Sequence, residues 1–226
     1  MKTYSLIIPI YNEERTLTKL LNTLHKIDKK NIEIIIVDDG SNDDTENILS
    51  QSEHFIILRN KINQGKGASI IKGAEFANNQ NLILIDGDLE IEIEIIPKLI
   101  AAFEKNDEDV LVGIRWNNNS DYSYNINSFG NYFINRAFNF LYRQKLSDVL
   151  CCVRILNLEL FKSLHIQSKG FSIEIETISK LVKKNLMIGE IMITYNRRTQ
   201  ADGKKLKGSD GWGIIWTMIK IRFFYK

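Results

Sequence analysis

Residues Leu82–Glu90 read LILIDGDLE. Four apolar residues suited to a buried strand run straight into Asp86 and Asp88, two carboxylates with only Gly87 between them. Burying one unpaired carboxylate costs several kcal/mol, and two so close repel each other. The stretch therefore predicts a strand whose carboxyl end carries charge that a partner has to neutralise. An Asp-Gly hairpin turn is the plain alternative, but the following LEIEIEIIPKLI reads as a turn into a helix and not as a returning strand.

Working outward, the same design repeats. Tyr4–Ile10, Ile32–Asp39, His54–Asn60 and Asp109–Arg115 join Asn81–Asp88 as continuous apolar runs that end in polar residues, the pattern of strands buried on both faces of a parallel sheet. Helical periodicity fills the gaps: EERTLTKLLNTLHKI places Leu17, Leu20, Leu21 and Leu24 on one face, and GKGASIIKGAEFA and EIIPKLIAAFEK behave alike. Alternation of this kind predicts a doubly wound, mostly parallel α/β sheet. The second half is less regular, with helices expected at 126–143 and 172–185, a strand at 187–193, a Gly/Lys-rich loop and a C-terminal helix.

Composition fits one such unit. A chain of 226 residues, 44% hydrophobic, can bury one sizeable core. With 30 basic against 28 acidic residues, the net charge of +2 does not by itself indicate nucleic acid or an acidic polymer, and no nucleic-acid partner is expected; any basic function must be local. Cys151 and Cys152 are adjacent, which suits neither a zinc site nor a disulfide framework and fits a reducing, cytoplasmic setting. The N-terminus turns charged too soon for a signal peptide, and no run approaches the roughly 18 apolar residues of a spanning helix.

In open α/β sheets ligands bind at the carboxyl ends of the strands. Asn12 and Glu13 follow the first strand, DDGSNDDT (38–45) the second, NQGKG (63–67) the third and DGD the fourth, so four strand ends converge on one cleft. Taken singly, DDGSNDDT reads equally as a turn with a helix cap, and NQGKG as a glycine turn. The aspartate pair is better explained by a divalent cation: hard carboxylate oxygens bind Mg²⁺ or Mn²⁺ through one or two ligands while a diphosphate supplies others.

SLIIPIYNEE, VDDGSNDDT, NQGKG and LILIDGDLE, in this order and spacing, resemble the family 2 glycosyltransferases with the nucleotide-diphospho-sugar transferase (GT-A) fold. The branch resembled is that of dolichyl-phosphate mannosyltransferase and its polyprenyl-phosphate relatives. The second half adds Gly113–Arg115, Ser128–Asn131, DVLCCVRI (148–155), GFSIEIE (170–176) and YNRRTQADGKK (195–205), with Phe129 where an Arg is common and Cys152 in place of a Gly. The resemblance implies a nucleotide-sugar half over about 1–115, an acceptor half over about 116–210, and an added amphipathic helix at 211–226.

It also implies an inverting transfer of sugar from a UDP- or GDP-linked donor to a polyprenyl or dolichyl phosphate. A family 2 enzyme acting on a sugar hydroxyl is the alternative, and a sugar-nucleotide nucleotidyltransferase a more distant one that lacks its Gly-rich loop. Pro9, Tyr11, Asn12, Glu13, Asp38, Asp39, Lys66, Asp86 and Gly87 would bind the donor, with Asp86 and Asp88 on Mg²⁺ or Mn²⁺. Asp88, Arg115 and Asp148 are the catalytic candidates. Arg115, Ser128, Glu174, Glu176, Arg198 and Lys205 would meet phosphate or acceptor. A receiver-type signalling domain would lack the DGD, and a nicotinamide enzyme would need a glycine-rich turn where PIYNEE stands.

The C-terminal WGIIWTMIKIRFFYK combines Trp212, Trp216, Phe223, Phe224 and Tyr225 with Lys220, Arg222 and Lys226, the composition of an interfacial anchor. A final helix packed on the core, or a dimer contact, fits that composition equally well; the polyprenyl-phosphate resemblance implies peripheral contact with the cytoplasmic face of a membrane, where Lys204, Lys205 and Lys207 would face anionic head groups.

Overall fold

A computed structural model describes residues 2–28, 30–115, 126–198 and 210–225. Seven strands form one sheet in the order β3-β2-β1-β4-β6-β5-β7. They are β1 (Tyr4–Ile10), β2 (Ile32–Asp38), β3 (Ile56–Arg59), β4 (Asn81–Leu84), β5 (Val110–Ile114), β6 (Arg154–Asn157) and β7 (Ile188–Met192). β6 runs antiparallel to β4 and β5, and every other pairing is parallel. The sheet is thus mostly parallel, as expected, with one reversed strand that the sequence reading lacked.

β1 sits at the centre because it is apolar throughout: Tyr4, Leu6, Ile7, Ile8 and Ile10 are all buried. Helix α1 (Glu14–Leu24) buries Leu17, Leu20, Leu21 and Leu24, the face its periodicity predicted. Helices α2 (Thr45–Ser50), α3 (Lys66–Phe76) and α4 (Ile96–Lys105) follow β2, β3 and β4. α4 is entered through a 3₁₀ turn at Ile93–Ile95 and has Pro97 in its first turn, where the missing N–H costs nothing. The chain leaves β1 for β2 on one side and returns to β4 on the other. This opens a crevice at their carboxyl ends.

The second half holds α5 (Ile126–Tyr142), α6 (Leu158–Ser163), α7 (Ile173–Lys183) and α8 (Asp210–Phe224). β6 eluded the sequence reading because Arg154 opens it. That arginine is 2% exposed, and its Nη2 donates to the carbonyls of Glu174 at 2.8 Å, Val149 at 3.3 Å and Cys151 at 3.4 Å. A guanidinium solvated by carbonyls can lie inside a core, where it hides a strand from a hydrophobicity pattern.

α8 corrects another expectation, since it is not amphipathic. Ile214, Met218 and Ile221 are buried, Tyr142 Oη donates to the Met218 carbonyl at 2.8 Å, and Lys183 Nζ reaches the carbonyls of its last turn. Its opposite side exposes Trp212, Trp216, Phe223 and Phe224 together with Lys220.

Candidate active site

The polar ends of β1, β2 and β4 border a cleft of about 1000 Å³. Pro9, Tyr11 and Glu13 come from the β1 end, Asp39 from β2, Gly65 and Lys66 from the start of α3, and Asp86, Gly87 and Asp88 from the β4 end. Arg115, Glu174 and Arg198 close the other side. Eleven of the expected site residues therefore line one cavity.

The neutralising partner of the aspartate pair is in part a lysine. Lys66 Nζ lies 2.8 Å from Asp86 Oδ2 and 2.5 Å from Glu174 Oε1. Burial lowers the ammonium's pKa, but the Asp86 and Glu174 carboxylates outweigh it and hold the value well above the ordinary one. Asp88 is differently placed. Its Oδ1 accepts from the Glu90 N–H at 3.0 Å, and it has no ion pair among the described residues. Burial, then the charges of Asp86 and Glu90, push its pKa up to about 7. A carboxylate so disfavoured, beside a second one and facing a cavity, fits the donor set of a hard divalent cation. No group of three or more potential metal ligands occurs among the described residues.

The loops after β2 and β3 lock together. Asp39 Oδ1 accepts from Asn60 Nδ2 at 2.8 Å and the Gln64 N–H at 3.0 Å, and Oδ2 from the Gly65 N–H at 2.7 Å. Asp38 turns away into its own bend. Its Oδ1 takes the Ser41 N–H at 3.0 Å and hydroxyl at 2.5 Å, and Arg59 Nε lies 3.4 Å from its Oδ2. Asn12, in the left-handed region at φ 49°, pins the loop after β2 through Asn12 N–H to Ser41 Oγ and Asn42 N–H to Asn12 Oδ1, both at 2.8 Å.

NQGKG acts mainly as a docking surface. A Cβ on Gly67 would stand 2.0 Å from the Ser168 carbonyl, and one on Gly65 (φ +98°) 2.5 Å from that of Lys169. That opposing loop is held by Glu176, whose Oε2 accepts from the Ser168 N–H at 2.6 Å and Oε1 from Gln167 N–H at 3.0 Å and Lys180 Nζ at 2.6 Å. Burial raises the Glu176 pKa, but these hydrogen bonds prevail and bring it below its usual value. Gly67→Ala should therefore cost ~2 kcal/mol through overpacking, roughly 6 °C in Tm. Calorimetry would show this, whereas a loop that only cradled phosphate would lose ligand affinity at unchanged Tm.

Arg115 and Asp148 form a bidentate pair, with Nε to Oδ2 at 2.8 Å and Nη2 to Oδ1 at 3.0 Å. The guanidinium also lies over the Tyr195 ring, 5.3 Å from its centroid. Arg198 donates from Nη1 and Nη2 to the two oxygens of Glu13, at 3.0 and 2.9 Å. Ser128 falls in the opening turn of α5, and Lys204, Lys205 and Lys207 lie outside the described residues.

Two residues of the site were missed. Glu90 Oε2 accepts from Tyr195 Oη at 2.9 Å and Oε1 from the Arg198 N–H at 2.9 Å, while its carbonyl accepts from the Asn196 N–H at 2.7 Å. These bonds strap residues 195–198 onto the segment that carries the aspartate pair. Glu90 looked like one of three alternating glutamates, and only its position two residues after Asp88 could have singled it out.

Comparison with known proteins agrees with this geometry. The family model for glycosyl transferase family 2 matches residues 5–164. An uncharacterized protein of Methanocaldococcus jannaschii is 30% identical over 207 residues, 86% of this chain and 89% of its own. The dolichyl-phosphate beta-glucosyltransferase of Dictyostelium discoideum is 27% identical over 250 aligned residues, 98% of this chain and 74% of its own. Among solved structures, glucosyl-3-phosphoglycerate synthase from Mycobacterium tuberculosis, in complex with Mn²⁺, UDP and phosphoglyceric acid, superposes with a TM-score of 0.78. It spans 100% of this chain and 80% of its own at 16% identity, a likeness of fold. The four motifs at the strand ends, the cleft they build and these matches lead to one conclusion: the chain belongs to glycosyl transferase family 2, as a glycosyltransferase resembling its polyprenyl-phosphate branch.

Proposed function

We propose that the enzyme transfers a sugar from a nucleotide-diphosphate donor to a polyprenyl or dolichyl phosphate, with inversion at the anomeric carbon. The observation that carries this reading is the charge arrangement of the cleft, an aspartate pair at the β4 end faced by Lys66, Arg115 and Arg198. Asp88, with Asp86 beside it, would hold Mg²⁺ or Mn²⁺, whose chemistry is Lewis-acid stabilisation of a departing diphosphate. Pro9, Tyr11 and Asp39 border the side of the cleft suited to the nucleotide. An acceptor phosphate oxygen attacks the anomeric carbon from the face opposite the diphosphate, and the bond from that carbon to the diphosphate oxygen breaks with its electron pair leaving on the nucleotide.

A phosphate acceptor is already ionised near neutral pH and needs positioning and cationic screening, not proton removal. The acidic residues flanking Arg115 and Lys66 hold those two cations in position at the cleft. Asp148 is engaged by Arg115 through both oxygens, and Glu174 holds Lys66. Neither stands apart as a free base, which favours the phosphate acceptor over a sugar hydroxyl.

An aromatic surface supports a lipid acceptor. Phe133 and Phe140 of α5 and Trp212, Trp216, Phe223 and Phe224 of α8 are 59–89% exposed. The two helices adjoin through Tyr142 and Met218, Arg136, Lys220 and Arg222 lie on them, and Asn131 and Ile214 carry both helices to the cleft wall. Exposed aromatic and basic residues on adjoining helices suit an anionic bilayer surface. No helix among the described residues is long and apolar enough to cross a membrane, so contact would be peripheral. The test supplies UDP- and GDP-sugars with Mn²⁺ to the protein on anionic vesicles containing polyprenyl phosphate. Salt-sensitive co-sedimentation and sugar recovered in the lipid phase are expected. Indifference to the vesicles together with glycosylation of a soluble sugar would refute the lipid acceptor.

A further inference from the structure

Residues 144–153 join α5 to β6 as neither helix nor strand, yet Ser147, Asp148, Val149 and Cys151 are buried. A buried stretch without a ladder of its own needs other partners for its backbone N–H and carbonyl groups. Here side chains supply them. Asn139 accepts the Leu146 N–H on Oδ1 at 3.0 Å and donates from Nδ2 to the Leu146 carbonyl at 2.8 Å. Asn135, one turn earlier on α5, donates to that same carbonyl at 2.9 Å and accepts the Val149 N–H at 3.0 Å. From β7, Glu190 accepts the Ser147 N–H on Oε1 at 2.6 Å and the Ser147 hydroxyl on Oε2 at 2.8 Å. Arg154 adds bonds to the carbonyls of Val149 and Cys151.

These bonds bracket Asp148. Its neighbours on both sides are clamped, and its carboxylate takes the Nε, Nη2 and backbone N–H of Arg115. Arg115 stands one residue beyond β5, and Glu190 is the register partner of Val112 in the β5–β7 pair, so clamp and arginine share one frame. A bidentate carboxylate sets the plane of a guanidinium, and the position of Asp148 therefore fixes how Arg115 meets the cleft that it lines. Asn135 and Asn139 sit on the face of α5 that also buries Phe138 and Tyr142. Amides on an apolar face cost stability unless they are bonded, and both of these spend their bonds on the segment that carries Asp148.

We propose that Asn135, Asn139 and Glu190 are positioning residues of the transferase: they clamp the segment around Asp148 and so set the direction in which Arg115 enters the cleft. All three stand outside the cleft lining and act through Asp148, as the outer partners of a site orient the groups that touch its ligand. The inference rests on the glycosyltransfer reading only for what Arg115 meets there. It gives work to residues on α5 and β7 that the strand-end motifs leave out.

Arg115 itself is the reporter. A guanidinium Nε–H held on a buried carboxylate exchanges slowly with solvent, and its NMR signal, identified by its loss in Arg115→Lys, needs no substrate. Asn135→Ala, Asn139→Ala and Glu190→Ala should each speed that exchange at least tenfold more than they speed exchange of the buried β1 amides. Glu190→Gln, which still accepts the Ser147 N–H, should keep the wild-type rate. In sugar transfer the alanine variants should raise several-fold whichever KM, donor or acceptor, Arg115→Ala raises, and leave the other within twofold. In the Arg115→Ala background they should raise it no further, because nothing is left to orient. Asn139 and Glu190 are half-buried, so their variants carry the measurement if Asn135→Ala fails to fold. Wild-type exchange at Arg115 in the folded alanine variants, or a KM effect undiminished without Arg115, overturns the proposal. A wild type that transfers no sugar would remove the glycosyltransfer reading, while the exchange rates would still decide the clamp.

Discussion

Asp88→Asn is expected to lower sugar transfer by about 10³-fold while the protein remains folded, because Lewis-acid stabilisation of a leaving diphosphate is worth several kcal/mol and each 1.4 kcal/mol is tenfold in rate. The same substitution should stabilise the metal-free protein in a pH-dependent way. The Asp88 carboxyl titrates near 7 in the folded state and near 4 in an unfolded chain. Between those values the folded state binds the extra proton, so stability of the metal-free protein falls as pH rises from about 4 to about 7 and stays reduced above. The loss is on the order of 2 kcal/mol once the side chain's partial contact with solvent is allowed for. Asparagine cannot ionise, so the variant should be level across that window and melt several degrees higher than wild type at pH 8. Mn²⁺ should restore the wild type at pH 8 and leave the variant unmoved. Melting curves at pH 5 and pH 8, with and without Mn²⁺, carry the test. Equal Mn²⁺-induced shifts in the two proteins, or turnover in the variant within tenfold of wild type, would show that Asp88 is not a metal ligand.

What the sequence made legible follows from what periodicity and turn chemistry encode. β1 and the buried face of α1 were readable residue by residue, because a central parallel strand is apolar throughout and an amphipathic helix repeats every 3.6 residues. Strand ends were read too generously: β4 stops at Leu84, two residues before Asp86, and its last bond to β1 runs from the Ile85 N–H to the Ile7 carbonyl at 3.3 Å. β6 was hidden by Arg154, whose burial depends on three carbonyls that only the folded chain brings together. The residues of the cleft were legible as types, an acidic pair and several cations. Their pairing was not. Arg115 with Asp148 spans 33 positions of sequence, and Arg198 with Glu13 spans 185. Nothing local in either segment encodes contacts of that length. The same limit applies to α8, where aromatic composition suggested a free interfacial helix, while the burial of Ile214, Met218 and Ile221 depends on the surfaces of α5 and α7.

Asp148→Asn should be costly to stability and nearly neutral in its effect on the pH dependence of the reaction. In the folded protein Asp148 takes the Arg115 Nε, Nη2 and backbone N–H, the last at 3.2 Å, and the side chains are 12% and 3% exposed. Although burial opposes the charge on Arg115, Asp148 outweighs it and holds the guanidinium's pKa above its ordinary value. Asparagine can present one oxygen to that fork but must turn its Nδ2 hydrogens toward another guanidinium donor, which leaves a buried cation without its counter-charge. Breaking a buried pair from one side costs about 3 kcal/mol or more, so Tm should fall by roughly 6–10 °C. Transfer should decline as Arg115 loosens at the cleft wall, but kcat/KM should keep the wild-type dependence on pH, because no proton leaves through Asp148 when the acceptor is a phosphate. A general base would behave in the opposite way: its asparagine variant would melt within about 2 °C of wild type, lose at least ~10²-fold in kcat, and lose the acidic limb of the pH profile. That second pattern would move Asp148 from anchoring Arg115 to removing a proton, and the acceptor from a phosphate to a hydroxyl.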